Sequence, residues 1–169
     1  LCAYDRKSCV PLAPAIVWQC RRTTDICGRL KEEGHESVFR DQTGLVLDPY
    51  FSGTKMTWLM ENDAQVRQAV TQGRGVFGTI DTYLMSRLSG GAVFVTEPSN
   101  ASRTLVFDIE KGAFDPTLAG LLDLPNTDCL AEVRYSAGEF GRTKDVGFLP
   151  DGIPITGILG DQQAALAGQ

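Results

Sequence analysis

The sequence predicts an α/β fold, because segments with helical and with strand-like patterns alternate along its 169 residues. Hydrophobic residues make up 43% of the chain and charged residues 22%, as in ordinary globular domains with a sizeable core. No internal repeat or low-complexity tract interrupts this alternation. We therefore expect a single α/β domain.

The first half of the chain is predicted to be mostly helical. Residues 13–18 form a short apolar run that indicates a strand. Residues 21–34 follow as a helix, because Ile26 and Leu30 lie four residues apart and Gly34 can end it. Three more helices are predicted, at 36–44, at 53–62 with Ser52 as the cap, and at 63–73.

The second half combines helices with two further strands. The helix at 115–124 has a clear start, since Asp115 can cap it and Pro116 suits its first position. The other predicted segments are a helix at 79–91, a strand at 103–109, a buried strand at 153–161 and a helix from residue 162 onward.

Residues 73–78 have the spacing G-x-G-x-x-G, which occurs in nucleotide-binding loops. A dinucleotide site requires a strand before these glycines, whereas here a charged helical pattern precedes them. A glycine loop of the protein-kinase type requires a following strand with V-A-I-K, which the sequence does not have. We therefore interpret this segment as a turn.

The charge and the cysteines argue against several classes of protein. A formal net charge of -5 argues against a general nucleic-acid binder, and no apolar run approaches the roughly 20 residues of a membrane span. Five cysteines without a C-x-x-C pair argue against a disulfide framework or a zinc site. We expect reduced thiols in a cytoplasmic protein, at Cys2, Cys9, Cys20, Cys27 and Cys129.

Asp161 is the strongest candidate for chemistry that the local pattern offers. It follows an apolar strand-like run, and ligands of open α/β sheets gather beyond the carboxyl ends of strands. A carboxylate there can accept a proton from a substrate hydroxyl, or hold a magnesium ion through water. The alternative is that Asp161 caps the following helix, and spacing alone favours the cap, although the two roles are compatible.

Trp18 and Tyr50 are two aromatic candidates with open alternatives. Trp18 ends a predicted strand and can form the wall of an apolar ligand site, although core packing is the commoner role of such a residue. Tyr50 follows Asp48 and Pro49 in an irregular segment, where its phenol can reach a ligand or simply pack in the loop.

Five longer stretches carry a further pattern. They are AIVWQCRRT (15–23), TGLVLDPYFSGTKMTWLMEN (43–62), FGTIDTYL (77–84), NASRT (100–104) and GDQQAALAGQ (160–169). Together they resemble the glycerol kinases, within the sugar-kinase family that has the actin-like, ribonuclease-H-like ATPase fold. VWQCRR and DPYFSGTK are more specific than the other stretches, because they resemble the glycerol kinase version, and the resemblance runs from about residue 15 to the end of the chain.

This resemblance implies a reaction and a role for four residues. In these kinases a polyol lies in the cleft between two domains, and ATP with Mg²⁺ phosphorylates glycerol to glycerol 3-phosphate. The resemblance implies that Asp161 is the catalytic base and that Gln162 and Tyr50 bind substrate hydroxyls. It implies that Trp18 packs against the carbon chain of glycerol. It further implies a homo-oligomer, either a dimer or a tetramer, in the cytoplasm.

The resemblance also implies that residues 1–169 are an incomplete first domain. We expect further strands before Leu1 and a second, ATP-binding domain beyond Gln169. The chain alone is expected to lack kinase activity, because it carries no cradle for the triphosphate. Two alternatives stay open: a kinase of another polyol or a pentulose sugar, and a truncated binding module without catalysis.

Two positions depart from the family pattern. The acidic residue before the Asn-Ala-Ser run is often Asp in the family, whereas this chain has Glu97, and the sequence does not explain the change. Bacterial glycerol kinases inhibited by fructose 1,6-bisphosphate use a basic, glycine-rich loop. Here the corresponding loop, 144–152, lacks the arginine and carries Asp145 and Asp151, so we expect it not to bind the bisphosphate.

Overall fold

The computed structural model describes all residues from 1 to 169 and confirms the predicted α/β class. The helices are α1 (Thr24–Glu32), α2 (Glu36–Thr43), α3 (Ser52–Asn62), α4 (Ala64–Thr71), α5 (Ile80–Leu88), α6 (Pro98–Ala101), α7 (Pro116–Leu121) and α8 (Asp161–Ala167). The strands are β1 (Cys2–Asp5), β2 (Gly75–Gly78), β3 (Val95–Thr96), β4 (Phe107–Asp108), β5 (Ala113–Phe114), β6 (Glu132–Val133), β7 (Ala137–Arg142) and β8 (Pro154–Gly157).

The strands pair into four small sheets of two strands each. The pairs β1–β2, β4–β5 and β7–β8 are antiparallel, whereas β3 and β6 are parallel, with Val95 opposite Glu132. The β7–β8 hairpin matters for the site, because β8 ends at Gly157 and α8 begins at Asp161. The position of the β7–β8 hairpin therefore determines where α8 begins.

Three apolar clusters hold these elements together, the smallest being Cys2, Tyr4 and Val76 of β1 and β2. The main core has 21 buried residues, and its fully buried members include Phe39, Val66 and Leu122, which come from α2, α4 and the end of α7. A smaller cluster of Met85, Val95, Phe140 and Ile158 joins α5, β3 and β7 to the segment just before α8. That segment is therefore anchored by packing three residues before Asp161.

Most of the predicted helices are confirmed, because local signals define them. Asp115 accepts hydrogen bonds from the backbone N–H groups of Thr117 and Leu118, and Pro116 begins α7 as predicted. Ser52 does not cap α3, because it is the first helical residue and Phe51 occupies the cap position without a side-chain hydrogen bond.

All five cysteines are free thiols. None of the helices has the length and apolar character needed to span a membrane.

Of the predictions about extended or turn segments, those at 13–18 and 73–78 were wrong, and the strands at 103–109 and 153–161 are confirmed only in part. Residues 13–18 form no strand, although Ile16 exchanges backbone hydrogen bonds of 2.9 and 2.8 Å with Leu1. The strand at 103–109 shrinks to β4, since Leu105 has a φ of 65°. The strand at 153–161 shrinks to the mostly exposed β8, and residues 73–78 contain β2 rather than a turn.

Candidate active site

The structure brings the four predicted site residues together in one region of the surface. Asp161, Gln162 and Tyr50 line a single cavity of ≈190 Å³. Trp18 lies against Tyr50, with ring centroids 5.6 Å apart and an angle of 54° between the ring planes. Trp18 and Asp161 also line a neighbouring cavity of ≈580 Å³. Residues separated by more than a hundred positions in sequence therefore surround one pair of adjoining cavities.

Asp161 is the first residue of α8, so the prediction that it caps this helix was wrong. Gly160 holds the cap position, because its backbone is still extended, with a φ of -61° and a ψ of 155°. The Asp161 side chain is exposed, and its Oδ1 accepts a hydrogen bond of 2.8 Å from the backbone N–H of Gln162. The neighbouring Gln162 side chain is also exposed at the cavity. The carboxylate is thus available to a molecule in the cavity.

Tyr50 has a fixed backbone and an accessible phenol. Asp48 Oδ1 accepts a hydrogen bond of 2.8 Å from its backbone N–H, and Lys55 Nζ donates one of 2.8 Å to its carbonyl. Lys55 itself is only 2% exposed, and this burial lowers the pKa of its ammonium group. The Arg103 guanidinium lies 5.6 Å from the centre of the Tyr50 ring. These contacts hold the ring in place beside the cavity.

Trp18 does not occupy the hydrophobic core. Its side chain is 61% exposed, and Tyr50 is 41% exposed, so this aromatic pair presents apolar surface to solvent. An exposed aromatic pair beside a carboxylate suits a ligand that combines hydroxyl groups with a carbon chain. The exposure of Trp18 therefore argues against core packing in this chain and leaves the ligand-wall alternative.

Several residues at the site were not singled out from the sequence. Ser99, Asn100 and Arg103 line the ≈190 Å³ cavity. The stretch NASRT (100–104) was the signal that could have identified Asn100 and Arg103, and Ser99 directly precedes it. Asp81 lines the ≈580 Å³ cavity, where burial raises the pKa of its carboxyl group and Thr96 Oγ1 donates to its Oδ2 at 2.7 Å. No pattern in the sequence indicated that Asp81 would be buried.

The site contains few acidic groups for a metal ion. The chain has no group of three or more His, Cys, Asp or Glu residues placed to hold one. Asp161 is the one acidic residue that lines the ≈190 Å³ cavity, alongside the oxygen-bearing side chains of Tyr50, Ser99, Asn100, Gln162 and Gln163. This set suits a hard cation only if water or a bound molecule completes its coordination.

Comparison with known proteins defines the family. A model of the N-terminal domain of the FGGY family of carbohydrate kinases matches residues 1–168. Glycerol kinases of Methylobacterium nodulans and Thermus brockianus are 50% and 51% identical to the chain over 166 residues. Each alignment covers 98% of this chain and 33% of the relative, so the chain spans about a third of the length of these relatives.

Solved structures give the same result. A glycerol kinase of Plasmodium falciparum, solved with ADP, matches with a TM-score of 0.93 and 32% identity over 99% of this chain and 33% of its own. A xylulose kinase of Lactobacillus acidophilus matches with a TM-score of 0.78 and 19% identity, over 99% of this chain and 34% of its own, which shows the fold alone. The predicted ribonuclease-H-like, actin-like ATPase fold is confirmed. The chain belongs to the FGGY family of carbohydrate kinases.

Proposed function

We propose that the protein containing this chain transfers the γ-phosphoryl group of ATP to a terminal hydroxyl of glycerol, giving glycerol 3-phosphate and ADP. The observation that carries this proposal is the shared cavity of Asp161, Gln162 and Tyr50, with Trp18 against the tyrosine ring. The identity of about half to proteins named glycerol kinase supports glycerol as the acceptor, and the ADP in the Plasmodium falciparum structure supports ATP as the donor.

Asp161 would act as the general base. Its exposed carboxylate accepts the proton of the attacking hydroxyl while the bond from that oxygen to the γ-phosphorus forms and the bond from the γ-phosphorus to the ADP oxygen breaks. Such a base needs to be within about 3 Å of the hydroxyl. Most of the catalytic effect in phosphoryl transfer comes from position and charge, which a carboxylate fixed at the start of α8 can supply.

The other three residues would hold the acceptor. The Tyr50 phenol and the Gln162 amide bind the remaining hydroxyls, while the exposed indole of Trp18 covers the carbon chain. A site that hydrogen-bonds hydroxyl groups discriminates strongly against molecules lacking them, because its own polar groups would then stay unpaired. Glycerol offers three hydroxyls on a small carbon chain and therefore fits this combination.

Mg²⁺ fits the site as an ion held mainly by water and phosphate. Asp161 is the residue that would contact it, through water, since Mg²⁺ is commonly bound by one or two carboxylates together with substrate phosphates. When bound, the ion neutralises charge on the phosphates during transfer. The chain's own contribution is then the orientation of Asp161 by its hydrogen bond from Gln162.

We further propose a cytoplasmic protein that assembles as a dimer or tetramer and binds no nucleic acid. The net charge of -5 supports the absence of nucleic-acid binding, because phosphates attract basic surfaces. The five free cysteines support a reducing compartment.

The test of this function is a substrate comparison with the full-length protein. ADP release from Mg-ATP is measured with glycerol and with D-xylulose as acceptors. We expect turnover that depends on glycerol. Turnover with D-xylulose alone would favour a pentulose kinase, and no turnover with any polyol would favour a binding module.

Substitution of Tyr50 by Phe tests the proposed contact to a hydroxyl. We expect the KM for glycerol to rise about tenfold with a smaller change in kcat, because one hydrogen bond is lost while the ring still packs against Trp18. Tyr135→Phe is the matched control, since Tyr135 is 89% exposed and lines neither cavity of the site. An unchanged KM for glycerol in Tyr50→Phe would contradict the assignment.

The expectation that loop 144–152 does not bind fructose 1,6-bisphosphate can be tested by an inhibition assay. The loop has one basic residue, Lys144, against Asp145 and Asp151, so it carries a net negative charge, and Asp151 Oδ1 accepts a hydrogen bond of 2.9 Å from the backbone N–H of Asp145. We expect no inhibition of glycerol phosphorylation by the bisphosphate, because like charges repel it. Fructose 6-phosphate serves as the control for ionic effects, and specific inhibition at low micromolar bisphosphate would overturn the expectation.

A further inference from the structure

Glu97 is a fully buried carboxylate next to the site. It lies between β3 and α6, is 0% exposed, and accepts five hydrogen bonds. The donors are the backbone N–H of Ser99 at 3.0 Å, Ser99 Oγ at 2.5 Å, the backbone N–H of Asn100 at 2.7 Å, Asn100 Nδ2 at 2.8 Å and Ser136 Oγ at 2.7 Å. Two of these donors are backbone groups of the first turn of α6, so Glu97 caps that helix.

These neutral donors are what stabilise the buried charge. Burial alone would raise the pKa of the Glu97 carboxyl, but the hydrogen bonds from Ser99 and Ser136, with those from the α6 backbone, outweigh it and hold the pKa below its usual value. A buried carboxylate that loses one such partner loses part of the hydrogen bonding that offsets the desolvation of its charge. Glu97 therefore fixes the positions of the groups that donate to it.

Two residues that donate to Glu97, Ser99 and Ser136, are also hydrogen-bonded to the segment before Asp161. Ser99 Oγ donates to Glu97 and accepts a hydrogen bond of 2.8 Å from the backbone N–H of Gly160. Ser136 Oγ also donates to Glu97, and the Ser136 carbonyl accepts a hydrogen bond of 3.0 Å from the backbone N–H of Ile158. Residues 158 and 160 are thus both tied to partners of one carboxylate.

The approach of Ser99 to Gly160 is close. A Cβ added to Gly160 would lie 3.2 Å from Ser99 Oγ and 2.6 Å from Gln163 Oε1. The backbone at Gly160 therefore lies directly against Ser99, and this position has little freedom to move without breaking the hydrogen bond. Asp161 follows as the first residue of α8.

We propose that Glu97 is a positioning residue for Asp161, acting through Ser99 on Gly160 and through Ser136 on Ile158. The inference rests on the proposed function, because it assigns the base role to Asp161. Glu97 does not itself touch the ≈190 Å³ cavity, whereas Ser99, Gly160 and Asp161 all line it. The hydrogen bonds thus connect the buried carboxylate of Glu97 to the orientation of the exposed carboxylate of Asp161.

The geometry distinguishes two substitutions of Glu97. In Glu97→Gln the amide nitrogen replaces either Oε1 or Oε2, and in either orientation it faces a backbone N–H donor, of Asn100 or of Ser99. At least one donor then loses its acceptor. Glu97→Asp keeps the charge and all acceptor capacity on a side chain one methylene shorter, and Asp is a strong helix cap.

Hydrogen exchange on the full-length protein is the first test, because it does not depend on turnover. We expect the amides of Ile158 and Gly160 to exchange at least about fivefold faster in Glu97→Gln, and the Gly160 amide also in Ser99→Ala, since the hydrogen bonds they donate are weakened or lost. Ser102→Ala is the matched control: Ser102 Oγ donates to the Ser99 carbonyl in the same turn but has no link to Gly160. Unchanged exchange in Glu97→Gln overturns the proposal, whatever the result for Ser99→Ala.

Kinetics on the same variants is the second test. We expect Glu97→Gln to lower kcat about tenfold to a hundredfold with little change in the KM for ATP, and Glu97→Asp to recover most of the loss. In an Asp161→Asn background, Glu97→Gln should change kcat less than about twofold, because a missing base cannot be misplaced. Equal losses of kcat in both backgrounds would show a merely structural role and overturn the proposal.

The outcomes separate this proposal from the proposed function. A wild-type protein without glycerol-dependent turnover contradicts the proposed function, while exchange of the Ile158 and Gly160 amides still decides whether Glu97 holds this segment. An active wild type whose kcat is unchanged by Glu97→Gln contradicts the positioning role and leaves the function intact. Thermal unfolding of each variant shows whether a loss of activity comes from unfolding.

Discussion

Asp161→Asn is expected to lower kcat for glycerol phosphorylation about a hundredfold to ten-thousandfold, which is the usual contribution of a general base. The variant should fold normally, because the side chain is exposed and its single hydrogen bond, from the Gln162 N–H, can still be accepted by the Asn amide oxygen. The KM for ATP should change little. A loss of kcat in this variant would therefore report on proton acceptance by Asp161 and not on ATP binding or folding.

The measurement is steady-state ADP release by the full-length protein, with circular dichroism and thermal unfolding as checks of the fold. Asp41→Asn is the matched control, since Asp41 is an exposed carboxylate on α2 and lines neither cavity of the site. We expect wild-type kcat in the control. If Asp161→Asn keeps more than about half of the wild-type kcat, the assignment of Asp161 as the base is wrong.

Gly53→Ala is expected to destabilise the protein by about 1–3 kcal/mol, because the new methyl group has no space. A Cβ at Gly53 would lie 2.6 Å from the Thr104 carbonyl oxygen, 2.8 Å from Leu122 Cδ1 and 3.1 Å from Leu105 Cβ. Leu122 is fully buried, and Leu105 has a positive φ of 65°, so these neighbours are held by the core and by the local backbone. Relief of the clash therefore requires α3 to shift.

Such a shift of α3 would also displace Tyr50 at the site. Gly53 is the second residue of α3, and Tyr50 lies three residues before it, with its carbonyl hydrogen-bonded to Lys55 in the same helix. We therefore expect a lower temperature of thermal unfolding together with a raised KM for glycerol. Both are measured on the full-length protein, by calorimetry and by the ADP-release assay.

Gly28→Ala is the matched control for this substitution. Gly28 lies inside α1, and a Cβ there would meet no atom within 4 Å. Alanine is favoured over glycine in a helix by about 0.5–1 kcal/mol, so this control should be neutral or stabilising. The packing argument would be contradicted if Gly53→Ala raised the unfolding temperature as Gly28→Ala does.

The helices could be predicted from the sequence because their signals are local. Asp115 and Pro116 mark the start of α7 through hydrogen bonds and a fixed φ that involve only adjacent residues. Gly44 ends α2 in the left-handed conformation, with a φ of 69°, as a glycine after a helix predicts. Spacing, caps and stops thus determine where these helices lie without knowledge of the rest of the chain.

The strands were predicted less well, because all of them are short and some pair with distant segments. β2 has only four residues and pairs with β1, where Cys2 lies opposite Gly78, far apart in sequence. The glycines in and beside β2 indicated a turn, whereas pairing with β1 makes this segment a strand. The strand also packs closely on α4, since a Cβ added to Gly75 would lie 2.8 Å from Ala69 Cβ. Register and pairing depend on contacts that no local window contains.

The sequence by itself determined the fold class, most of the helices and, through its resemblance to a known family, the candidates Asp161, Gln162, Tyr50 and Trp18. Only the tertiary structure decided that these candidates surround adjoining cavities, that Trp18 is exposed, and that Gly160 rather than Asp161 caps α8. It also revealed that Glu97 is fully buried and linked to Gly160 through Ser99. The physical reason is that helix signals act over a few residues, whereas burial, cavities and hydrogen-bond networks arise from groups that only the folded chain brings together.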